Sequence, residues 1–208
     1  MGRHRREEPR DEFRLLFVCT GNICRSPFAE ILTRHLLRGS LGGTVARRFV
    51  VSSAGVQAVV GSAMHPDSRA ELAPWNLQGS HAEGFAARQL RPSMIERSHL
   101  VLGATVRHRS AVVELCPAAL PMTFALREFA RLAAAVDGTT LPAHPVARAH
   151  ALVEQVRLQR GLVPPDPGGD DVPDPMGRSR DAHHLAAVLT RAALTTVLDV
   201  VVPSAHGA

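Results

Sequence analysis

The chain has 208 residues, 45% hydrophobic and 21% charged, the balance of a globular protein about one domain long. All of its 24 basic residues are arginine, set against 19 acids, and with seven Phe and one Trp there is neither a basic stripe nor a stacking platform for nucleic acid. Three cysteines cannot frame a disulfide scaffold, and no apolar run nears the ~18–20 residues of a membrane span. No nucleic acid and no membrane partner are expected. The basic start runs into Glu7, Glu8 and Asp11 rather than an apolar stretch, so a cytoplasmic location is expected.

In chain order, residues 1–11 read as a disordered tail. The domain is expected over 12–202, with an elaboration at about 137–172 and a second tail at 203–208. Phe13–Val18 suits a buried strand. Pro27 suits the first turn of a helix carrying Phe28, Ile31, Leu32, His35 and Leu36 at helical spacing. Phe49–Val51 reads as a second strand closed by Ser52–Gly55, and Pro66–Trp75 as a short helix. His99–Leu102 and Met122–Phe124 read as further strands, each followed by a helix, Val106–Leu115 and Arg127–Ala135. Pro142–Gln159 reads as an exposed helix, and Pro164–Gly169 as a flexible loop. The last helix, 181–201, would bury Leu185, Val188, Leu189, Ala192 and Leu198. Alternation of strands and helices predicts a small doubly wound α/β domain with a four-stranded parallel sheet.

Between the first strand and its helix lies Cys19-Thr20-Gly21-Asn22-Ile23-Cys24-Arg25-Ser26-Pro27. A loop this tight can curl its N–H groups inward as an anion nest, with a helix dipole behind it. Gly21 and Asn22 tolerate the left-handed backbone such a loop needs. Cys19 would sit at its base, where the N–H groups, the dipole and Arg25 favour the thiolate. Arg25 can fork onto two oxygens of a phosphoryl group. Residues 19–26 are thus the candidate phosphate-binding loop.

The segment VCTGNICRSPFAE (18–30) resembles the phosphate-binding loop of low-molecular-weight protein tyrosine phosphatases. The likeness extends to Ser53-Ala54-Gly55, Ala87-Arg88-Gln89-Leu90 and Asp171-Val172-Pro173-Asp174-Pro175. It implies Cys19 as nucleophile, Arg25 as phosphoryl holder and Ser26 as support of the thiolate. Asn22 and Ser53 would brace the loop by hydrogen bonds. Cys24 would match a loop cysteine that traps an oxidised nucleophile as a disulfide. The reaction implied is hydrolysis of a phosphomonoester, protein phosphotyrosine first, through a cysteinyl-phosphate and without metal or other cofactor.

Taken by itself, Asp174 is one acid in a loop that also holds Asp166, Asp170 and Asp171, and exposed loop acids are common. The resemblance selects Asp174-Pro175 as the proton donor to the leaving oxygen. Two pocket walls depart from the family pattern. Met176 follows the Asp-Pro pair where an aromatic is usual, and Ala58 stands where a large side chain is usual. Phe85 takes the place of a histidine. Cys116 reads as structural, and eleven histidines show no zinc spacing, His183-His184 reading as helix surface.

Three alternatives share the loop. A thioredoxin-coupled arsenate reductase needs two further cysteines downstream, and only Cys116 follows. A phosphoarginine phosphatase resembles this loop with Thr where Ile23 stands. A non-catalytic phosphopeptide-binding module would have lost the nucleophile or the acid. A phosphorylated protein is the expected partner, acted on by a monomer or weak dimer.

Overall fold

The computed structural model describes residues 11–202; of the tails expected at 1–11 and 203–208, all but Asp11 lie outside the described residues. Strands β1 (Phe13–Cys19), β2 (Phe49–Gly55), β3 (Leu100–Gly103) and β4 (Thr123–Ala125) form one parallel sheet in the order β2-β1-β3-β4. The helices are α1 (Arg25–Ala46), α2 (Pro66–Ala70), α3 (Ser80–Glu83), α4 (Pro92–Glu96), α5 (Val106–Leu115), α6 (Leu126–Ala134), α7 (Pro145–Gln159) and α8 (Arg180–Val201). This is the expected fold class.

β1 lies in the interior of the sheet, and its side chains alternate between two cores. Phe13 and Phe17 enter the larger one, shared with α1, α6, α7 and α8. Leu16 and Val18 enter the smaller, with Leu90, Ile95, Val101 and Val112. β2 runs past the expected Val51 to Gly55 and pairs with the whole of β1, setting Ser53 opposite Phe17 and Gly55 opposite Cys19. Ser53 and Gly55 behind the loop therefore lie on the strand paired with Cys19.

Three expectations are corrected. The helix expected over Pro66–Trp75 stops at Ala70, because Pro74 has no N–H to bond the Ala70 carbonyl, and a single 3₁₀ turn takes Ala73–Trp75. α7 starts at Pro145 and is not an exposed helix: Val146, Ala149, Leu152, Val153 and Val156 make a buried stripe at helical spacing. α8 is rotated from the expected face. It buries His183, Ala186, Ala187, Thr190, Ala193 and Leu194, while Leu185 and Ala192 are exposed. Small residues there let α8 approach α1, α2 and α6 closely. By length and composition alone α8 could cross a membrane, yet its inner face is seated on these helices.

Candidate active site

The Cys19–Ser26 loop leaves the carboxyl end of β1, where parallel sheets bind ligands. Its conformation is set from outside. Val56, Gln57, Val59 and His65 donate their backbone N–H groups to the carbonyls of Cys19, Thr20, Gly21 and Ile23. In a trans peptide the N–H points opposite the C=O, and no cis bond is present among the described residues. The amides of Thr20, Gly21, Asn22 and Cys24 are thereby turned to the inner side of the loop. The first N–H groups of α1 add the donors every helix start leaves unmet.

Asn22 holds the left-handed turn at φ 54° and is fully buried. Its Nδ2 donates to Ser26 Oγ and Ser53 Oγ, both at 2.8 Å, and its Oδ1 accepts the Arg88 N–H. Ser53 Oγ donates in turn to Glu30 Oε2 at 2.5 Å. Glu30, itself buried, is paired with Arg34 and Arg88. Because Ser26 Oγ already accepts from Asn22, its own proton is free for Cys19 Sγ, 3.0 Å away. Gly55 completes the base: a Cβ there would overlap the Thr20 carbonyl and stand 3.0 Å from the Asn22 nitrogen.

Arg25 is 6% exposed. Its Nη1 donates to the Val172 carbonyl at 3.1 Å, its Nη2 lies 2.7 Å from Asp174 Oδ2, and its Nε is buried without a partner among the described residues. A buried unmet donor on a guanidinium is costly, and an anion in the loop would satisfy it. The other loop acids are engaged elsewhere. Asp166 pairs with Arg127, Asp170 with Arg131, and Asp171 Oδ1 accepts the Val106 N–H at the start of α5. Asp174 alone of the four faces Arg25, with its Oδ1 accepting the Met176 N–H. The segment read as a flexible loop is thus tied down by two arginines of α6.

His108, absent from the sequence reading, belongs to this site. Its Nε2 is 3.0 Å from Thr20 Oγ1 and its Nδ1 is 2.8 Å from Thr105 Oγ1. Burial, with the nearby Arg25 charge, pushes its pKa down from 6.5 to about 4, so it is neutral near pH 7. Burial pushes the Cys24 thiol up to about 11. Cys24 and Cys19 are both buried free thiols.

At the mouth, Met176 is half-exposed. Ala58 is held by its N–H to Gln89 Oε1. The side chain of that segment against the loop is the half-exposed Val59, whose Cγ2 stands 3.6 Å from where a Gly21 Cβ would be. Ile23 flanks Gly21 as well. Phe85 packs on the larger core. His183 is buried rather than on the helix surface, and His184 is exposed. Cys116 packs on the smaller core.

A parallel α/β domain with a cysteine and an arginine bracketing an anion nest defines the class of cysteine-dependent phosphatases. A model of the family described as low molecular weight phosphotyrosine protein phosphatase matches residues 14–138, and the chain belongs to that family. It is 31% identical over 196 residues to a low molecular weight protein-tyrosine-phosphatase of Streptomyces coelicolor, covering 94% of this chain and 97% of the relative. It is 36% identical over 117 residues to a protein-arginine-phosphatase of Geobacillus stearothermophilus, covering 56% of this chain and 71% of that one. Among solved structures, a low molecular weight protein tyrosine phosphatase from T. tengcongensis superposes with a TM-score of 0.63 at 23% identity, over 90% of this chain and 99% of that one. An arginine phosphatase from Geobacillus stearothermophilus does so with a TM-score of 0.60 at 26% identity, over 89% and 90%.

Proposed function

We propose that the protein hydrolyses phosphotyrosine on proteins, with Cys19, Arg25 and Asp174 as its catalytic residues. The observation that carries this reading is the buried, unpartnered Nε of Arg25 beside a loop whose amides face inward. That arrangement suits the equatorial oxygens of a phosphoryl group.

Cys19 Sγ attacks phosphorus in line, forming the S–P bond as the P–O bond to the leaving group breaks. Asp174 gives its proton to the leaving oxygen. It then takes a proton from water, whose oxygen displaces Cys19 and releases phosphate and the thiolate. Ser26 supports the thiolate, and Asn22, Ser53 and Glu30 hold Ser26 in place. The loop and Arg25 supply the positive charge, so the scheme calls for no metal.

The phosphoarginine reading has its own support, in the arginine phosphatase relatives. Against it stands Ile23, an apolar side chain where that group carries a hydroxyl. The aliphatic mouth of Ile23, Val59 and Met176 suits an aryl group better than a guanidinium. Comparing kcat/KM on phosphotyrosyl, phosphoseryl and phosphoarginyl peptides tests this: phosphotyrosine should lead, and a lead by phosphoarginine overturns the assignment.

A further inference from the structure

Three side chains that turnover does not use meet behind the phosphate-binding loop. Cys24 ends the loop, His65 caps α2, and His183 lies in the first turn of α8. One donor atom from each lies within 4.8 Å of the other two. The His65 and His183 rings stack with centroids 4.5 Å apart. His183 is 2% exposed; its Nδ1 is 2.8 Å from Ser68 Oγ, and its Nε2 is buried with no hydrogen-bond partner among the described residues. A cavity of ≈ 10 Å³ adjoins Cys24, Ser68, Pro175 and His183, about the room one water needs.

We infer that Cys24 Sγ, His65 and His183 Nε2 form a binding site for a zinc-class divalent cation, with solvent as the fourth ligand. One thiolate and two imidazoles select a borderline-soft ion over magnesium or calcium. In a tetrahedral zinc site, neighbouring donors stand about 3.3–3.8 Å apart. Closing the 4.8 Å spread to that spacing takes a rotation of the partly exposed His65 out of its stack with His183, because an imidazole holds an ion in its own ring plane. Ser68 orients His183 through Nδ1, the kind of outer hydrogen bond that fixes a ligating imidazole. His65 is partly exposed, which gives the ion its entry. Binding gives up the His65–His183 stack, the contact of the Cys24 side chain with Ser68 and a weak cap, the 3.3 Å contact from the Asp67 N–H to His65 Nδ1. The three ligands come from three distant stretches of sequence, which is why histidine spacing showed no site. A coordinated Cys24 is also withheld from any disulfide with Cys19.

The test is cobalt(II) and zinc(II) titration of the reduced, metal-stripped full chain, with thermal unfolding measured in parallel. Wild type should take up one cobalt with thiolate-to-cobalt absorption, zinc should displace it, and zinc should raise Tm. Cys24→Ser should lose the thiolate band. His65→Asn and His183→Phe should each lose tight binding and the zinc-induced rise in Tm, and Ser68→Ala should bind about tenfold more weakly. Cys19→Ala should bind as wild type does. His65→Asn, at a partly exposed position, keeps the test open if His183→Phe fails to fold. Binding that disappears in Cys19→Ala, or is unchanged in His65→Asn, or is absent from wild type, overturns the inference.

Discussion

Arg25 Nη2 lies 2.7 Å from Asp174 Oδ2, joining the guanidinium that would hold the phosphoryl group to the carboxyl that would protonate the leaving oxygen. Residues 149 positions apart in sequence are held in register through Val172: Arg25 Nη1 donates to its carbonyl, and its N–H donates to the carbonyl of Ala104, just past the end of β3. Asp174 is about half exposed while Arg25 is buried, so the acid is the partner free to move. A phosphate dianion entering the loop competes for Arg25 and releases Asp174 toward the leaving group.

From this pairing, Asp174→Asn should lower kcat for phosphotyrosine by about 10²–10⁴-fold, the usual worth of a general acid. An activated aryl phosphate, whose leaving group departs with little help, should lose far less. Steady-state kinetics on both substrates checks it. Equal losses would assign Asp174 a structural role.

Gly55→Ala should damage the loop from behind. Its new Cβ would run into the Thr20 carbonyl, which is backbone and cannot rotate away. Overpacking of this kind costs about 1–3 kcal/mol, so the urea midpoint and kcat/KM should fall together. A variant stable and active as wild type would show that the loop does not lean on β2.

His108 predicts a pH dependence of stability. Its folded pKa is pushed down to about 4, while the unfolded chain takes up the proton near the ordinary 6.5. As pH falls from 6.5 toward 4 the unfolded state binds the extra proton, so stability present at neutral pH is lost over that window. His183, also lowered chiefly by burial, adds to the loss. His108→Gln should therefore lose less stability than wild type between about pH 7.5 and about pH 5, measured by urea unfolding. Parallel losses would mean that His108 titrates normally in the fold.

The sequence carried the local chemistry of the site and little of its long-range bracing. Cys19 to Ser26 is one strand–loop–helix turn, so its nest could be read from Gly21, Asn22 and the spacing of Cys19 and Arg25. The helix Val106–Leu115 has the expected bounds, with the Thr105 side chain accepting the His108 N–H at its start. Glu30, His108 and Val59 escaped because each joins the site through a contact between distant elements. Glu30 looks like a surface acid of a helix until Ser53 and Arg88 arrive from elsewhere in the chain. The face of α8 was misjudged because leucines outrank alanines in a periodicity count, whereas close helix packing favours the alanines. Among the loop acids, only the arginines of α6 separate Asp166 and Asp170 from Asp174.

The non-aromatic mouth carries a prediction about specificity. Met176 stands half-exposed where the family pattern has an aromatic side chain. A ring there would gain about 0.5–1.5 kcal/mol against a substrate phenyl group. Met176→Tyr should raise kcat/KM for phosphotyrosine several-fold. A fall would show that the mouth is shaped for another phosphoester.

The central claim is a phosphoryl group carried on Cys19. Asp174→Asn lacks the base for the second step, so with p-nitrophenyl phosphate it should accumulate the intermediate. Quenching that reaction within its first turnovers and mapping peptides by mass spectrometry should place one phosphoryl group on the peptide containing Cys19. Release of p-nitrophenol with no phosphoryl group on that peptide, or with one on any other residue, would contradict the account.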